Sequence, residues 1–139
     1  MYKAIEIAKY IIGKCTRDKQ PISNMQLQSI LYYIQKEFLH LGTEAFPEEI
    51  QARSFGPIVP FVYYKYCMCG VEPIRIPYDS QLDENTKLII NPIIEKKRSL
   101  KPWDINHNIQ HPEKAWYQTY KNGLGDYMTI PKSLIQSDG

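Results

Sequence analysis

Ser23-Asn24-Met25-Gln26-Leu27-Gln28-Ser29-Ile30-Leu31-Tyr32-Tyr33-Ile34-Gln35-Lys36-Glu37-Phe38-Leu39-His40-Leu41-Gly42 is the stretch on which the fold turns. Ser23 followed three residues later by Gln26 is a capping box, in which each side chain meets the other's backbone N–H. Ile22 and Leu27 stand at the two positions of a hydrophobic staple. Leu27, Ile30, Leu31, Ile34, Phe38 and Leu41 then form one apolar stripe at helical spacing. Gly42 supplies the C-terminal stop. Caps and stripe agree, so this helix is the axis around which the rest is read.

Upstream, Ala4, Ile7, Ala8, Ile11 and Cys15 predict an amphipathic helix over 3–15. Downstream, residues 50–55 alternate with period two and read as a short strand, broken by Gly56-Pro57. Pro60 suits the first position of a helix to about Cys69, with Phe61, Tyr64 and Met68 as its apolar face and Gly70 as its stop. Residues 71–78 hold Pro73 and Pro77 and cannot be regular helix; they offer a second strand around Ile74 and Ile76. Asp83 caps a helix through Leu88, Ile89, Ile93 and Ile94 to about Arg98, with Pro92 expected to kink or split it. A short helical turn is expected around Trp103. Residues 112–121 read as a helix carrying Trp116 and Tyr120, and Asn122-Gly123 ends it. Met128 to Ile130 is extended, and Pro131 opens a last short helix with Leu134 and Ile135. The expected fold is mainly α. It is one compact domain, 1–139, of five or six short helices with at most a small two-stranded ribbon. Strands do not alternate with helices, which argues against a parallel α/β sheet.

The chain has 139 residues, is 43% hydrophobic and carries a net charge of +2. This is a globular balance without the basic excess of a dedicated nucleic-acid module. No run approaches the ~18 apolar residues of a membrane span, and Lys3, Glu6 and Lys9 interrupt any signal-peptide core. Three cysteines, Cys15, Cys67 and Cys69, are an odd set, which fits a reducing cytoplasm. Cys67-Met68-Cys69 lacks the second pair that zinc needs, so it reads as two thiols at a helix end. His107 and His111 are four apart, but Pro112 argues against one continuous helix and hence against a zinc pair.

Glu48-Glu49 and Asp83-Glu84 fall where helix N-termini or exposed turns are expected, and the helix dipole explains acids there. No Walker, dinucleotide, nucleophile-elbow or H-E-x-x-H pattern occurs. The expectation is a protein with no catalytic residues, no cofactor and no metal. An uncharacterised hydrolase using Cys15 or Cys67 with a distant His has no support from spacing. Lys96-Lys97-Arg98 with Lys101 beside Trp103 motivates an alternative, a nucleic-acid-binding regulator; its plainer reading is a solvated helix end.

The eleven tyrosines are the more informative signal. Tyr32-Tyr33, Tyr63-Tyr64-Tyr66 and Tyr117-Tyr120 are close neighbours. Adjacent helical residues point ~100° apart, so some must sit at the edge of the core or beyond it. Tyr there either borders the core and hydrogen-bonds to loops or serves an interface.

Three of these segments together resemble the Panacea-domain family, the SocA-like antitoxins also described as phage-associated proteins. Residues 23–35 are similar to that family's T-N-x-K-L-Q-K-L-L-Y-Y-x-Q helix. Residues 50–60, with Ala52, Gly56, Pro57 and Pro60, resemble its I-x-A-W-x-Y-G-P-V-V-P stretch, followed by an aromatic-rich helix containing Tyr63. His111-Pro112 with Trp116 and Tyr120, then Gly123, Ile130 and Ile135, resembles its closing segment. The motifs span about 3–136. Ser29, Arg53, Phe55 and Gln110 stand where Lys, Trp, Tyr and Thr are usual.

The resemblance implies a small cytoplasmic antitoxin of a bacterial or prophage toxin–antitoxin system. It would neutralise a toxin encoded by a neighbouring gene through direct contact. Handover to a protease is a further implication for some members. The contact surface read for such a module takes in Gln28, Tyr32 and Gln35 on the polar flank of the axial helix, with Arg53 and Phe55 beside the turn. Gln28 and Gln35 could equally be plain solvated positions, and Phe55 core. Leu27, Leu31, Tyr33, Ala52 and Pro60 are motif positions of the scaffold. Gly56 and Pro57 set backbone shape, and His111 and Trp116 hold the fold.

Overall fold

A computed structural model describes residues 1–138. Helix α1 (Ala4–Arg17) buries Ala4, Ile7, Ala8, Ile11 and Cys15 as its periodicity requires, and also Tyr10 and Ile12. Its first free N–H, on Ala4, is taken by the Glu48 carboxylate at 3.1 Å to each oxygen. One acid of the Glu48-Glu49 pair therefore serves a helix N-terminus, where donor and dipole both favour negative charge.

Helix α2 (Asn24–His40) carries the expected reciprocal box. Ser23 Oγ accepts from the Gln26 N–H at 3.2 Å, and Gln26 Oε1 accepts from the Ser23 N–H at 2.9 Å. Gly42 ends it at φ +86°. Leu41, placed in the stripe by spacing, lies just past the last helical turn and is exposed; Leu39 is buried instead. Burial is not confined to one stripe, because α2 is packed on several sides, against α1, β2 and the helices α3, α4, α5 and α7 defined below.

Strand β1 (Gln51–Arg53) pairs antiparallel with β2 (Gly56–Ile58), register Gln51↔Ile58, Ala52↔Pro57 and Arg53↔Gly56. The expected partner around Ile74 and Ile76 is corrected here. The chain reverses at once through Ser54-Phe55, with Gly56 at φ +130°, and the nearby partner is reached at less cost in loop entropy. Pro57, which lacks an N–H, fits β2 because Ala52 needs no bond from it. Ala52 gives its N–H to Met128 O and takes the Tyr127 N–H, both at 2.8 Å. Met128 to Ile130 thus runs extended along the other side of β1, and the Ile130 N–H reaches Ile50 O at 2.8 Å. Ile74 bonds instead to Ile22 at 2.7 Å, pinning the proline-containing segment to the entry of α2.

Helix α3 (Pro60–Tyr66) runs into a 3₁₀ turn at Cys67–Cys69 and stops at Gly70, φ +58°. Its inward face is Val62 and Tyr66, four apart; Phe61, Tyr64 and Met68 are exposed. The face assigned from sequence is therefore the outward one. Helix α4 (Glu84–Lys97) is capped by Asp83, which accepts from the Thr86 N–H at 3.0 Å. The helix continues through Pro92 rather than splitting. The carbonyl deprived of its donor belongs to Leu88, which is exposed, so water can satisfy it. Ile90 and Ile94 face the core.

The turn expected around Trp103 is a complete helix, α5 (Pro102–Ile109). Helix α6 (Ala115–Tyr120) begins later than expected because His111-Pro112 forms a separate turn. There the Glu113 N–H reaches His111 Nδ1 at 3.3 Å and the Lys114 N–H reaches His111 O at 2.9 Å. His111 is exposed, and its N–H reaches back to Asn108 O in α5 at 3.4 Å. A 3₁₀ turn at Lys121–Gly123 and α7 (Lys132–Ser137) complete the described chain. Seven α-helices and one small antiparallel sheet make the architecture mainly helical, as its periodicities predict.

At Gly13 of α1 a loop comes so close that an added Cβ would run into the Tyr78 carbonyl. That carbonyl also receives Arg17 Nη1 at 2.6 Å. Gly13→Ala should therefore cost about 1–3 kcal/mol in urea unfolding. An unchanged midpoint would show that the Tyr78 loop is not held against α1.

Candidate functional site

The three α2 residues assigned to a contact surface are inside the protein. Gln28, Tyr32 and Gln35 are 3%, 1% and 0% exposed, and this corrects the surface expectation for all three. Their polar groups are used internally. Gln35 Oε1 accepts from the Ala45 N–H at 2.8 Å and the Phe46 N–H at 3.4 Å, while Nε2 donates to Phe46 O at 2.8 Å. Gln28 Oε1 accepts from the Val59 N–H at 2.9 Å, and its Nε2 donates to Asn24 Oδ1 at 3.0 Å. Asn24 in turn donates to Tyr63 O at 3.0 Å.

The Tyr32 hydroxyl donates to Asp138 Oδ2 at 2.8 Å, and burial together with that carboxylate pushes its pKa well up. These side chains serve the backbone of the 45–46 loop, the Val59 N–H before α3 and the Tyr63 carbonyl within α3. Buried irregular backbone needs such partners. Leu27 and Leu31 pack fully buried between them. Tyr33 is half-buried and donates to Ile105 O at 3.3 Å.

Arg53 and Phe55 are half-buried and form the organising pair of an aromatic cluster at the surface. Arg53 Nη2 donates to the Tyr127 hydroxyl at 2.8 Å and Nη1 to the Tyr64 hydroxyl at 3.3 Å; Nε lies 3.6 Å from Asp126. The guanidinium carbon sits 3.8 Å from the Tyr127 ring centroid and 5.4 Å from that of Phe55. Phe55 stacks on Tyr63 at 5.5 Å, and Tyr63 meets Tyr64 edge-on at 5.3 Å. The Arg53 side chain is itself only 15% exposed, so the rims of Tyr64 and Tyr127 form the accessible surface. Phe61, 66% exposed and one turn from Tyr64 on α3, extends it.

The scaffold beneath is built by the motif residues. Trp116, buried, donates through Nε1 to Arg53 O at 2.9 Å and stacks on Tyr120 at 4.9 Å. Asn106 Nδ2 reaches Phe55 O at 3.4 Å, and the Ser29 hydroxyl donates to Asn106 Oδ1 at 3.0 Å. A Cβ on Gly56 would press on Asn106, so the turn needs glycine both for its backbone angle and for this approach. Ala52 and Pro57 are buried, and Pro60 starts α3. On the far side of Phe55, a groove of about 380 Å³ runs between Met25, Ser54, Pro102 and the exposed Trp103. Sequence reasoning missed Asp126, Tyr127 and Asn106. None has a periodic signal, and Asn106 entered only as a polar residue arguing against a longer helix.

The run Lys96–Lys101 does not present one face. Arg98 turns to α1 and binds Asp18 at 2.7 Å, which holds the Asp18 carboxyl below its usual range. Lys97 lies over Tyr33 at 4.0 Å, and Lys101 is near Trp103 at 5.2 Å. His40 Nε2 lies 2.8 Å from Asp138 O. Cys15 is buried, and burial pushes its thiol up despite the neighbouring Arg98; Cys67 is exposed and Cys69 half-buried. Among the described residues, no three His, Cys, Asp or Glu side chains gather as metal ligands would.

Gln35→Leu should lower stability by about 2 kcal/mol or more, because it leaves the Ala45 N–H and Phe46 carbonyl buried and unpaired. Faster amide exchange over residues 43–48 would accompany the loss, and an unchanged unfolding midpoint would contradict it. In a thiol-reagent time course on folded protein, Cys67 should react first, Cys69 more slowly and Cys15 only after denaturant is added. Three equally fast thiols would contradict the burial of Cys15. No family model, curated protein or solved structure matches the chain.

Proposed function

We propose that this protein is an antitoxin-like binding module, which neutralises a toxin encoded by a neighbouring gene by direct protein–protein contact. The observation that carries the reading is the aromatic cluster around Arg53. Tyr64, Tyr127 and Phe61 expose large rings, and those of Tyr64 and Tyr127 are restricted by the guanidinium and, for Tyr64, by its edge contact with Tyr63. Rigid Tyr and Arg groups supply contact area at low entropic cost and are the residue types enriched at binding hot spots. Exposed apolar side chains gathered on one helix face are otherwise a liability for a soluble domain. The three motif segments that resemble the Panacea family converge on this same region. The hairpin holds Arg53 and Phe55, α2 seats the hairpin through Ser29, and Trp116 braces it from below. Handover of the bound toxin to a protease is compatible with this reading and needs no further contact on this face.

Co-expression with the adjacent open reading frame tests the proposal. Wild-type protein should restore growth and co-purify with its product. Phe61→Ala/Tyr64→Ala should weaken the complex by about 30-fold or more, as loss of hot-spot residues does. Its unfolding midpoint should move little, since both side chains are largely solvated. Absence of rescue and of co-purification by the wild-type protein would overturn the proposal.

A further inference from the structure

Met25, Phe55, Pro102 and Trp103 line the groove of about 380 Å³ beside the hairpin tip. Three elements meet there. Met25 lies in the first turn of α2, Phe55 at the tip between β1 and β2, and Pro102-Trp103 at the start of α5. The groove is already formed in the free chain. Phe55 stacks on Tyr63 at 5.5 Å, and its carbonyl is held by Asn106 Nδ2 at 3.4 Å. Pro102 presets the backbone of the first turn of α5. Trp103 is 67% exposed, and among the described residues its ring stacks on no other ring. The Lys101 ammonium lies 5.2 Å from its centroid.

The polar lining decides what can fill this groove. Asn106 is committed, since Oδ1 accepts from the Ser29 hydroxyl and Nδ2 serves Phe55 O. The Trp103 indole N–H, the Ser54 hydroxyl and the Gln110 side-chain amide have no hydrogen-bond partner among the described residues. All three can donate, and the indole N–H can do nothing else. No Lys, Arg, Asp or Glu lines the groove. A fitting occupant has apolar surface for Phe55 and Trp103, bare acceptors for the donors, and no need of charge.

A peptide strand would need a sheet edge to pair with, and no residue of β1 or β2 lines the groove. An amphipathic helix uses its carbonyls internally and needs a longer apolar groove for anchors spread over two turns. A single-stranded nucleic acid needs a cationic track for its phosphates. A proline-rich segment meets both requirements. In the polyproline II conformation its carbonyls are unpaired, its prolines have no N–H to satisfy, and its rings are fixed before binding, which lowers the ordering cost.

We infer that this groove binds a proline-rich segment of another protein in the polyproline II conformation. Proline rings pack against Phe55 and Trp103, and a backbone carbonyl accepts from the Trp103 indole N–H. Phe61 and Tyr64, which carry the proposed toxin contact, do not line the groove, so either binding can be lost while the other stays.

Chemical-shift titration of the full chain with a ten-residue oligoproline tests this. Saturable shifts at the Trp103 indole N–H and the Gln110 side-chain amide are expected, with a Kd of about 1 mM or tighter. A ten-residue Gly-Ser peptide, which lacks both the rings and the preset backbone, should give no saturable response. Trp103→Phe keeps a ring and removes the N–H, and should weaken binding about three- to tenfold, as loss of one hydrogen bond does. Trp103→Ala should weaken it by about 30-fold or more. The Tm of both variants should move little, because the side chain is largely solvated. Phe61→Ala/Tyr64→Ala should bind oligoproline as wild type does, whatever its effect on toxin capture. No saturable response to oligoproline, an equal response to the Gly-Ser peptide, or equal affinities of wild type and either Trp103 variant would overturn the inference. So would saturable binding of oligothymidylate with a steep salt dependence and none of oligoproline.

Discussion

Much of this structure depends on the desolvation of backbone polar groups around α2. A 17-residue helix surrounded by five other helices and a hairpin leaves little water beside it. Around it lie the loop at 45–46, the Val59 N–H at the entry to α3 and the Tyr63 carbonyl in the last turn of α3. Each lost hydrogen bond in that setting costs about 1–3 kcal/mol. Asn24, Gln28 and Gln35 supply those bonds from the helix itself. The amide side chain suits the task because it donates and accepts at once. Ser29 and Tyr32 extend the same device to α5, through Asn106, and to the end of α7, through Asp138.

The surface chemistry follows from that interior. Asn106, oriented by Ser29, holds the carbonyl of Phe55, and Trp116 holds the carbonyl of Arg53. Two interior anchors thus fix the hairpin tip from which Arg53 gathers Tyr64 and Tyr127. The exposed rings, on α3 and at Tyr127, are gathered around a braced turn. That is the condition under which aromatic contact area is gained without a large ordering cost on binding. Tyr33, the neighbour of buried Tyr32, donates its hydroxyl to Ile105 O of α5 and has Lys36 and Lys97 near its ring.

What was legible in the sequence was local. The Ser23–Gln26 box, the Asp83 cap and the stops at Gly42 and Gly70 depend on neighbours within a few residues, and each stands where its spacing put it. Facing was less legible. Phe61, Tyr64 and Met68 share one side of a short helix, and so do Val62 and Tyr66. In a seven-residue helix rich in Tyr, either set can pass for the apolar face. Gln28 and Gln35 carry no mark distinguishing a solvated glutamine from one that bonds a buried loop. Arg53 and Phe55 stand out in the sequence because they flank a short, local hairpin turn. Tyr127 and Asp126 do not, because they reach Arg53 across more than 70 residues of chain.

Legible from the chain alone were the helical class, the ends of the main helices, the turn at Gly56-Pro57 and, among the described residues, the lack of a helix long and apolar enough to cross a membrane. All of these follow from backbone preference and short-range hydrophobic period. Which strand pairs with β1, which face of α3 is buried and which polar residues of α2 are interior emerge from long-range packing. These are settled by competition among distant segments for one core. The winner is the arrangement that satisfies the buried backbone, a quantity no single segment carries.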